Sequence, residues 1–352
     1  MTELNKFLKT LISAPGLSGF EAPVRGLIRQ AWEPLTDEIG VSRLGSLHAR
    51  VKGSAPEPRP ALLLAAHMDA IGLMVSAVQE GFLRLTEIGG LDPRVLPGQI
   101  VRVHGREELP GVIVQPPGHL LPSKSSNGPV PLEYLLVDVG LLPDEVERLV
   151  RVGDLVSFDS QPLEMGTDVL AGHSLDNRAS VAAVTHCLQE LKSYRHAWDV
   201  WAVATVQEEE TLGGAFTSAY ALQPDLAVAI DVTFGTSPGS PSHKTFPMGK
   251  GITLGWGPNV HSGVFRVFKE LAENLEIPYQ VEVMPRHSGT DAYGLQVARA
   301  GIPTMVVSIP LRYMHTPVEV ISMKDVTRTG RLLAAFAASL EPDFMQNLTW
   351  DE

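Results

Sequence analysis

The sequence holds a single cysteine, Cys187. One cysteine makes no intrachain disulfide and no thiolate metal cluster. It sits in an apolar helical pattern and reads as a buried structural thiol. Its chain neighbour His186 points a different way on a helix and does not activate it. Positive charge is also scarce, with 28 Lys+Arg against 40 Asp+Glu and a formal net charge of −12. That balance argues against nucleic acid or an anionic membrane surface as the main partner. No apolar run reaches membrane-spanning length. The opening MTELNKFLKTLISA patterns as an amphipathic helix rather than a secretory signal, so the expected location is the cytoplasm. Internal repeats, low-complexity tracts and long linkers are missing. What remains is a chain of 352 residues, 44% hydrophobic and 19% charged, long enough for two domains with a sizeable core.

The pattern falls into three stretches. Residues 1–70 carry two helical patterns, then LHARVKG and PALLLAAHMDA, which read as strands. From residue 171 to 345 helix and strand alternate. NRASVAAVTHCLQELKS leads to DVWAVATV, a short helix after LGGA leads to LAVAID, SGVFRVFKELAENL leads to YQVEVMP, and DAYGLQVARA leads to PTMVVSI. A last helix starts near Ser322. That alternation predicts an α/β fold, a mixed sheet with helices on both faces. Residues 72–165 differ. Short apolar runs such as IGLMVSAV, FLRLTEI and QIVRVHG are broken by Gly and Pro, and only LPDEVERLV looks helical. This stretch reads as a small β-barrel or sandwich. The expected division is a catalytic domain of residues 1–70 and 166–352, with residues 71–165 inserted into it.

In open α/β sheets, ligands bind beyond the carboxyl ends of the strands. His67 and Asp69 follow ALLLAA, Asp176 stands at a helix start in GHSLDNRAS, and Glu208 and Glu209 follow WAVATV. Asp231 ends LAVAI, and His315 follows TMVVSI after a short turn. Each has an ordinary explanation on its own: a surface histidine, a helix cap, a turn residue, a solvated acidic run. Their coincidence at one edge is what counts. A His and carboxylate set without Cys suits Zn²⁺, Co²⁺ or Mn²⁺. A set this large exceeds what one ion needs, so the expectation is a pair of divalent ions. Asp69 can hold the second ring nitrogen of His67 and fix its tautomer. Glu208 and Glu209 are neighbours and diverge, so one can bind metal while the other serves as a general base for water. Glu210 is expected to point to solvent.

The segments APGLSGFEAPVR, AAHMDAIGLMV, GGLDPRVLPGQIV, SLDNRAS, VQEEETLGGA, AIDVT, SGTDA and RYMHTPVEV, in that order, carry a resemblance. The chain resembles the tetrahedral, glutamyl-aminopeptidase-like family of co-catalytic di-metal aminopeptidases over nearly its whole length. The resemblance implies a phosphorylase/hydrolase-like α/β fold with an inserted PDZ-like dimerisation barrel. By that resemblance His67 and Asp231 bind one metal, Glu209 and His315 the other, and Asp176 bridges them. Glu208 is then the general base for a metal-bridging hydroxide, and Asp69 the orienting carboxylate. The implied activity is release of N-terminal residues from short peptides. The implied assembly is a hollow homododecamer built from dimers. Arg286, His287 and Asp291, in PRHSGTDAYG, are candidate substrate-pocket residues.

The chain also departs from the family's usual pattern. EEETLGGA stands where EEVGLRGA is usual, so Glu210 and Gly213 replace an apolar residue and an arginine. Asn177 follows the bridging position where many relatives carry a second Asp, and Ser46 follows Gly45 where GN is usual. None of these is a proposed ligand. Three other functions remain in view: a metal-dependent amide deacylase, an endoglucanase, and an assembly protein that has lost activity. A glycosidase needs two carboxylates flanking a sugar and leaves the histidines without a role. Lost activity would leave degraded ligand positions, and all five are present.

Overall fold

A computed structural model describes residues 3–121 and 129–349. The first helix shows how local pattern becomes packing. In α1 (Glu3–Ile12), Leu4, Leu8, Leu11 and Ile12 are buried at helical spacing, while Lys6 and Lys9 lie outward. Helix α2 (Ala22–Trp32) begins with Pro23 near its start and buries Val24, Ile28 and Trp32. Strands β1 (Glu38–Val41), β2 (Leu47–Val51) and β3 (Ala61–His67) follow. In β3, residues 62–67 are all buried, which requires cover on both faces of the sheet.

The chain then leaves the sheet. Strands β4 (Gly72–Gln79), β5 (Phe82–Ile88), β6 (Ile100–His104), β7 (Glu108–Val114), β8 (Leu136–Asp138) and β9 (Leu155–Phe158) close into a barrel in the order β4-β5-β8-β7-β6-β9. Its core is aliphatic, including Leu73, Val75, Leu83, Val101, Val103, Ile113, Val137 and Val156. In β6 the alternation is plain: Val101 and Val103 point inward and Ile100 outward. Closure leaves no unpaired edge. Helix α3 (Pro143–Leu149) packs Val146 onto this core. It is the helix expected from LPDEVERLV.

The chain re-enters the large sheet at β10 (Leu163–Met165) and β11 (Val169–Gly172). Helix α4 (Leu175–Leu191), β12 (Asp199–Thr205), α5 (Glu208–Thr211), α6 (Gly213–Leu222) and β13 (Leu226–Phe234) come next. Then follow β14 (Ile252–Trp256), α7 (Ser262–Asn274), β15 (Tyr279–Val283), α8 (Asp291–Gln296), β16 (Thr304–Arg312), β17 (Glu319–Ser322) and α9 (Met323–Ser339). The sheet runs β1-β2-β12-β3-β13-β16-β17-β11-β10, with β14 and β15 branching from β16. Its centre is parallel: β12, β13 and β16 all run with β3. Helices α4 and α9 pack together on the sheet, and α6 and α8 form a second pair against it. The fold is the mixed sheet with helices on both faces, plus a closed barrel.

Register decides where the chemistry falls. Thr205 pairs with His67 across β12 and β3. Ala229 pairs with Ala65, so two residues later Asp231 comes level with His67. Asp231 in turn pairs with Ser308. The carboxyl ends of four parallel strands therefore meet along one edge. Among the described residues no helix is long and apolar enough to cross a membrane.

Candidate active site

His67 is the last residue of β3, and Asp69 lies just beyond it, fully buried. The Nδ1 of His67 faces two acceptors, the Asp69 carbonyl at 3.3 Å and its Oδ1 at 3.4 Å. Both partners accept, so Nδ1 carries a hydrogen, and Nε2 faces the opposite way, toward the other acids. The Asp69 carboxylate also accepts the backbone N–H groups of Glu208 at 3.1 Å and Glu209 at 3.2 Å. One buried carboxylate thus orients the imidazole and the start of α5. Gln207, just before the acidic pair, is held at φ 57°, and His315 at φ 61°, the left-handed region that side chains seldom adopt.

The Nε2 of His67 lies 3.2 Å from Asp176 Oδ1, 3.7 Å from Glu208 Oε2 and 3.8 Å from Asp231 Oδ1. The Nε2 of His315 lies 3.4 Å from Glu209 Oε2 and 3.6 Å from Asp176 Oδ2. Asp176 therefore offers one oxygen to each imidazole. It does so because the backbone of Asp176 and Asn177 is non-helical at the start of α4, and Asn177 donates to the Ile230 carbonyl at 2.9 Å. Two sets of side chains bring ligand atoms close enough to hold a metal ion: His67, Glu208 and Asp231, and His67, Asp176 and Glu209. All five predicted ligands and both predicted catalytic carboxylates stand together.

Charge is poorly balanced in this cluster. Burial pushes the carboxyls of Glu208, Glu209 and Asp231 well above the usual carboxylate range, and their acidic neighbours add to it. Burial opposes a charged His67, but Glu208, Asp176, Asp69 and Asp231 together outweigh it and hold the imidazole pKa high. Burial also opposes the charge on Asp69, yet His67 and the two backbone N–H groups keep its carboxyl below the usual range. Among the described residues only imidazoles form ion pairs with Glu208, Glu209, Asp176 and Asp231.

They line a cavity of about 500 Å³ that also touches Glu282, Met284, His287, Thr290 and Met314. Of the three candidate pocket residues, His287 lines this cavity. Arg286 is exposed and is not among the lining residues. Asp291 is buried at the start of α8 and accepts the Thr205 hydroxyl at 2.5 Å. Glu210 is exposed, as its acidic run suggests, but its carboxylate also accepts the N–H of Gly89 in the barrel at 2.6 Å. A Cβ on the adjoining Gly90 would sit 3.2 Å from His315 Nδ1, so the barrel's edge abuts the site.

Two supporting residues carry little sign of their role in the sequence. Glu319, fully buried, accepts the N–H of Asp176 at 3.0 Å and of His315 at 3.1 Å, tying together the two ligands that face each other. Its only local signal is its place four residues after His315. Arg178, also buried, donates to the carbonyls of Leu11, Ala14, Gly16 and Met68 and so anchors the turn between His67 and Asp69. Burial lowers its pKa to about 10.

A lysyl aminopeptidase from Pyrococcus furiosus is 36% identical over 96% of this chain and 97% of its own length. The TET aminopeptidase from a marine sediment Thaumarchaeota archaeon superposes with a TM-score of 0.93, at 31% identity, over 99% of each chain. The TET1 peptidase of Pyrococcus horikoshii, which can assemble into a tetrahedron or a large octahedral shell, superposes with a TM-score of 0.84 at 29% identity, over 96% of this chain and 100% of its own. Residues 45–332 match the family described as M42 glutamyl aminopeptidase, so the acids and histidines gathered at this sheet edge belong to a member of that family, an aminopeptidase that hydrolyses peptide bonds.

Proposed function

We propose that the chain is a metal-dependent aminopeptidase acting on short peptides with two divalent ions per subunit, Zn²⁺, Co²⁺ or Mn²⁺. The observation that carries this reading is the divided carboxylate of Asp176, one oxygen toward His67 and one toward His315. The donor set fits the ions. It is imidazole and carboxylate without thiolate, and its buried acids need more positive charge than two histidines bring. His67 and Asp231 would hold one ion, Glu209 and His315 the other, with Asp176 shared. Bound divalent ions polarise a carbonyl and ease the deprotonation of water. The chain's own part is positional and acid–base. Asp69 fixes the His67 tautomer and the start of α5. Glu208, with its carboxylate reaching the cavity, accepts a proton from the attacking water and returns it to the leaving amine nitrogen. Removal of metal with a chelator should abolish release of amino acids from aminoacyl p-nitroanilides, and Zn²⁺, Co²⁺ or Mn²⁺ should restore it. Active enzyme carrying well under one ion per chain by elemental analysis would refute the reading.

The family description names a glutamyl residue and the Pyrococcus furiosus relative a lysyl one, side chains of opposite charge. Family membership therefore leaves the preferred terminal residue open.

We further propose that residues 1–70 and 166–352 form the catalytic unit and that residues 71–165 mediate self-association into dimers, the units of a dodecamer. Ile100, Leu142 and Val152 are exposed apolar side chains on that stretch, between 53% and 70% accessible. Closed assemblies with isologous dimer contacts are common among enzymes. Light scattering of a chain carrying Asp at these three positions should show a smaller particle. An unchanged particle would place the contacts on the catalytic unit.

A further inference from the structure

The cavity holds one acid that neither metal set uses. Glu282 lies on β15 and lines the same cavity as His67 and Asp231. Its two oxygens are fixed separately: Oε1 accepts the Thr233 hydroxyl at 2.6 Å, and Oε2 accepts the Thr253 hydroxyl at 2.7 Å. The Ser308 hydroxyl bears on it too, and since a carboxylate offers about four acceptor positions, three hydroxyls still leave it room for a donor from the cavity. Burial raises its pKa and the hydroxyls lower it, and no cation among the described residues acts on it. A carboxylate placed in this way, partly desolvated and rigid, is unpaired until something positive enters the cavity.

Its position sets the length of what could reach it. Thr233 follows Asp231 by two residues on the same strand and the same face. Thr253 on β14 pairs with Ser308, which pairs with Asp231, so the carboxylate held between Thr233 and Thr253 stands about one strand across and one residue on, roughly 6 Å from Asp231. A lysine side chain spans about 6 Å from Cα to Nζ, five single bonds of ~1.5 Å in zigzag, and arginine slightly more. The cavity wall includes apolar Phe234, Met284 and Met314, against which a methylene stem can lie. Apolar wall and anionic end match a methylene stem carrying a cation.

We infer that Glu282 is the specificity-determining residue of this cavity and that the preferred N-terminal residue carries a cationic side chain, lysine or arginine. The inference rests on the aminopeptidase reading above and deepens it. A glutamyl side chain would meet Glu282 as a like charge. A neutral chain of lysine's length would leave it unpaired.

The test uses the metal-loaded full-length protein and lysyl, arginyl, norleucyl and glutamyl p-nitroanilides. Norleucine supplies a linear apolar stem without the charge. Wild-type kcat/KM should be at least tenfold higher for lysyl and arginyl than for norleucyl, with glutamyl lowest. Hydrogen bonds to charged groups support a factor of roughly ten to a hundred. Glu282→Gln should bring the lysyl-to-norleucyl ratio close to one, chiefly through KM for lysyl. A wild-type ratio near one overturns the inference whether or not the variant folds. So does a variant that loses every substrate in equal proportion, because the carboxylate would then serve the α-ammonium group or the fold. Release of no residue from any anilide would instead be a failure of the aminopeptidase reading, which keeps the two apart.

Discussion

Acids stand at both ends of β12, and they are treated in opposite ways. At the start of the strand, Asp199 accepts from Arg59 Nε at 2.7 Å, from Arg50 Nη1 at 3.3 Å and from the Gly53 N–H at 2.8 Å. Beyond the other end, Glu208 and Glu209 join Asp176 and Asp231, and among the described residues only the imidazoles of His67 and His315 form ion pairs with any of them. Arg178, buried in the same region, gives its N–H groups to backbone carbonyls. A fold can neutralise a buried acid from within, as it does at Asp199. Leaving several acids short of cations at one edge costs stability, and the same lack is what makes that edge a place for metal ions.

The sharpest way to break the comparison is at Glu208. Glu208→Gln keeps shape and removes the proposed base, so activity should fall about a hundred- to ten-thousand-fold while metal content holds. Glu209→Gln should instead lower metal content, because its carboxylate faces His315. If both variants lose metal equally, the roles of the pair are wrong. In chelated protein the same Glu208→Gln change removes an acid from an overcrowded cluster and should raise stability by ~0.5–2 kcal/mol, read from thermal unfolding.

Asp199→Ala should do the reverse. It leaves Arg59 and Arg50 without the acid they share and the Gly53 N–H without its acceptor, though Glu57 and Glu38 still pair with the two arginines, so stability should fall by about 1 kcal/mol. Unfolding by urea should show that loss. The kcat of the folded variant should stay at the wild-type value, since the network lies at the far end of the strand. A fall in kcat with no fall in stability would mean that the two ends are coupled.

The two ends of β12 also differ in how far their surroundings are legible in the sequence. The central strands declare themselves, because β3, β12, β13 and β16 are covered on both faces and so read as unbroken apolar runs. The barrel shows as short alternating runs punctuated by Gly and Pro. The residues brought together at the site stand out by their places after strands. Residues whose partners come from distant backbone stay hidden. Arg178 looks like a solvated helix charge, yet it is buried because α1 and the His67 turn send their carbonyls toward it. Glu319 looks like an ordinary strand residue until Asp176 and His315 fold over it. Glu282 sits in the alternating YQVEV and reads as an outward polar residue, but the cavity is on that side. Asp291, drawn into the pocket by its motif, is instead held beneath it by Thr205. Periodicity reports which face is polar. It does not report what stands opposite.

A pH effect separates two histidines of the same sheet. His67 sits among carboxylates, and they hold its pKa high against burial. Among the described residues no acid acts on His48 of β2. Its Nε2 lies 2.9 Å from the Ser218 hydroxyl, Trp201 packs edge-on, and burial lowers its pKa from 6.5 to about 4. The sign follows from linkage. The unfolded chain takes up a proton near pH 6.5 and the folded chain only near 4, so the stability that neutral His48 contributes is full above pH 6.5 and drains away as pH falls toward 4. A tenfold change in proton affinity is worth about 1.4 kcal/mol, and with a discount for the part of the ring that water reaches, the loss is on the order of 1–2 kcal/mol. His48→Gln keeps a hydrogen-bonding group toward Ser218 and does not titrate. The stability gap between wild type and this variant, measured by urea unfolding, should therefore shift toward the variant between pH 7 and pH 5. A gap that stays constant over that range would mean that His48 titrates in the folded chain as it does in water, and that burial on this side of the sheet does not set imidazole charge.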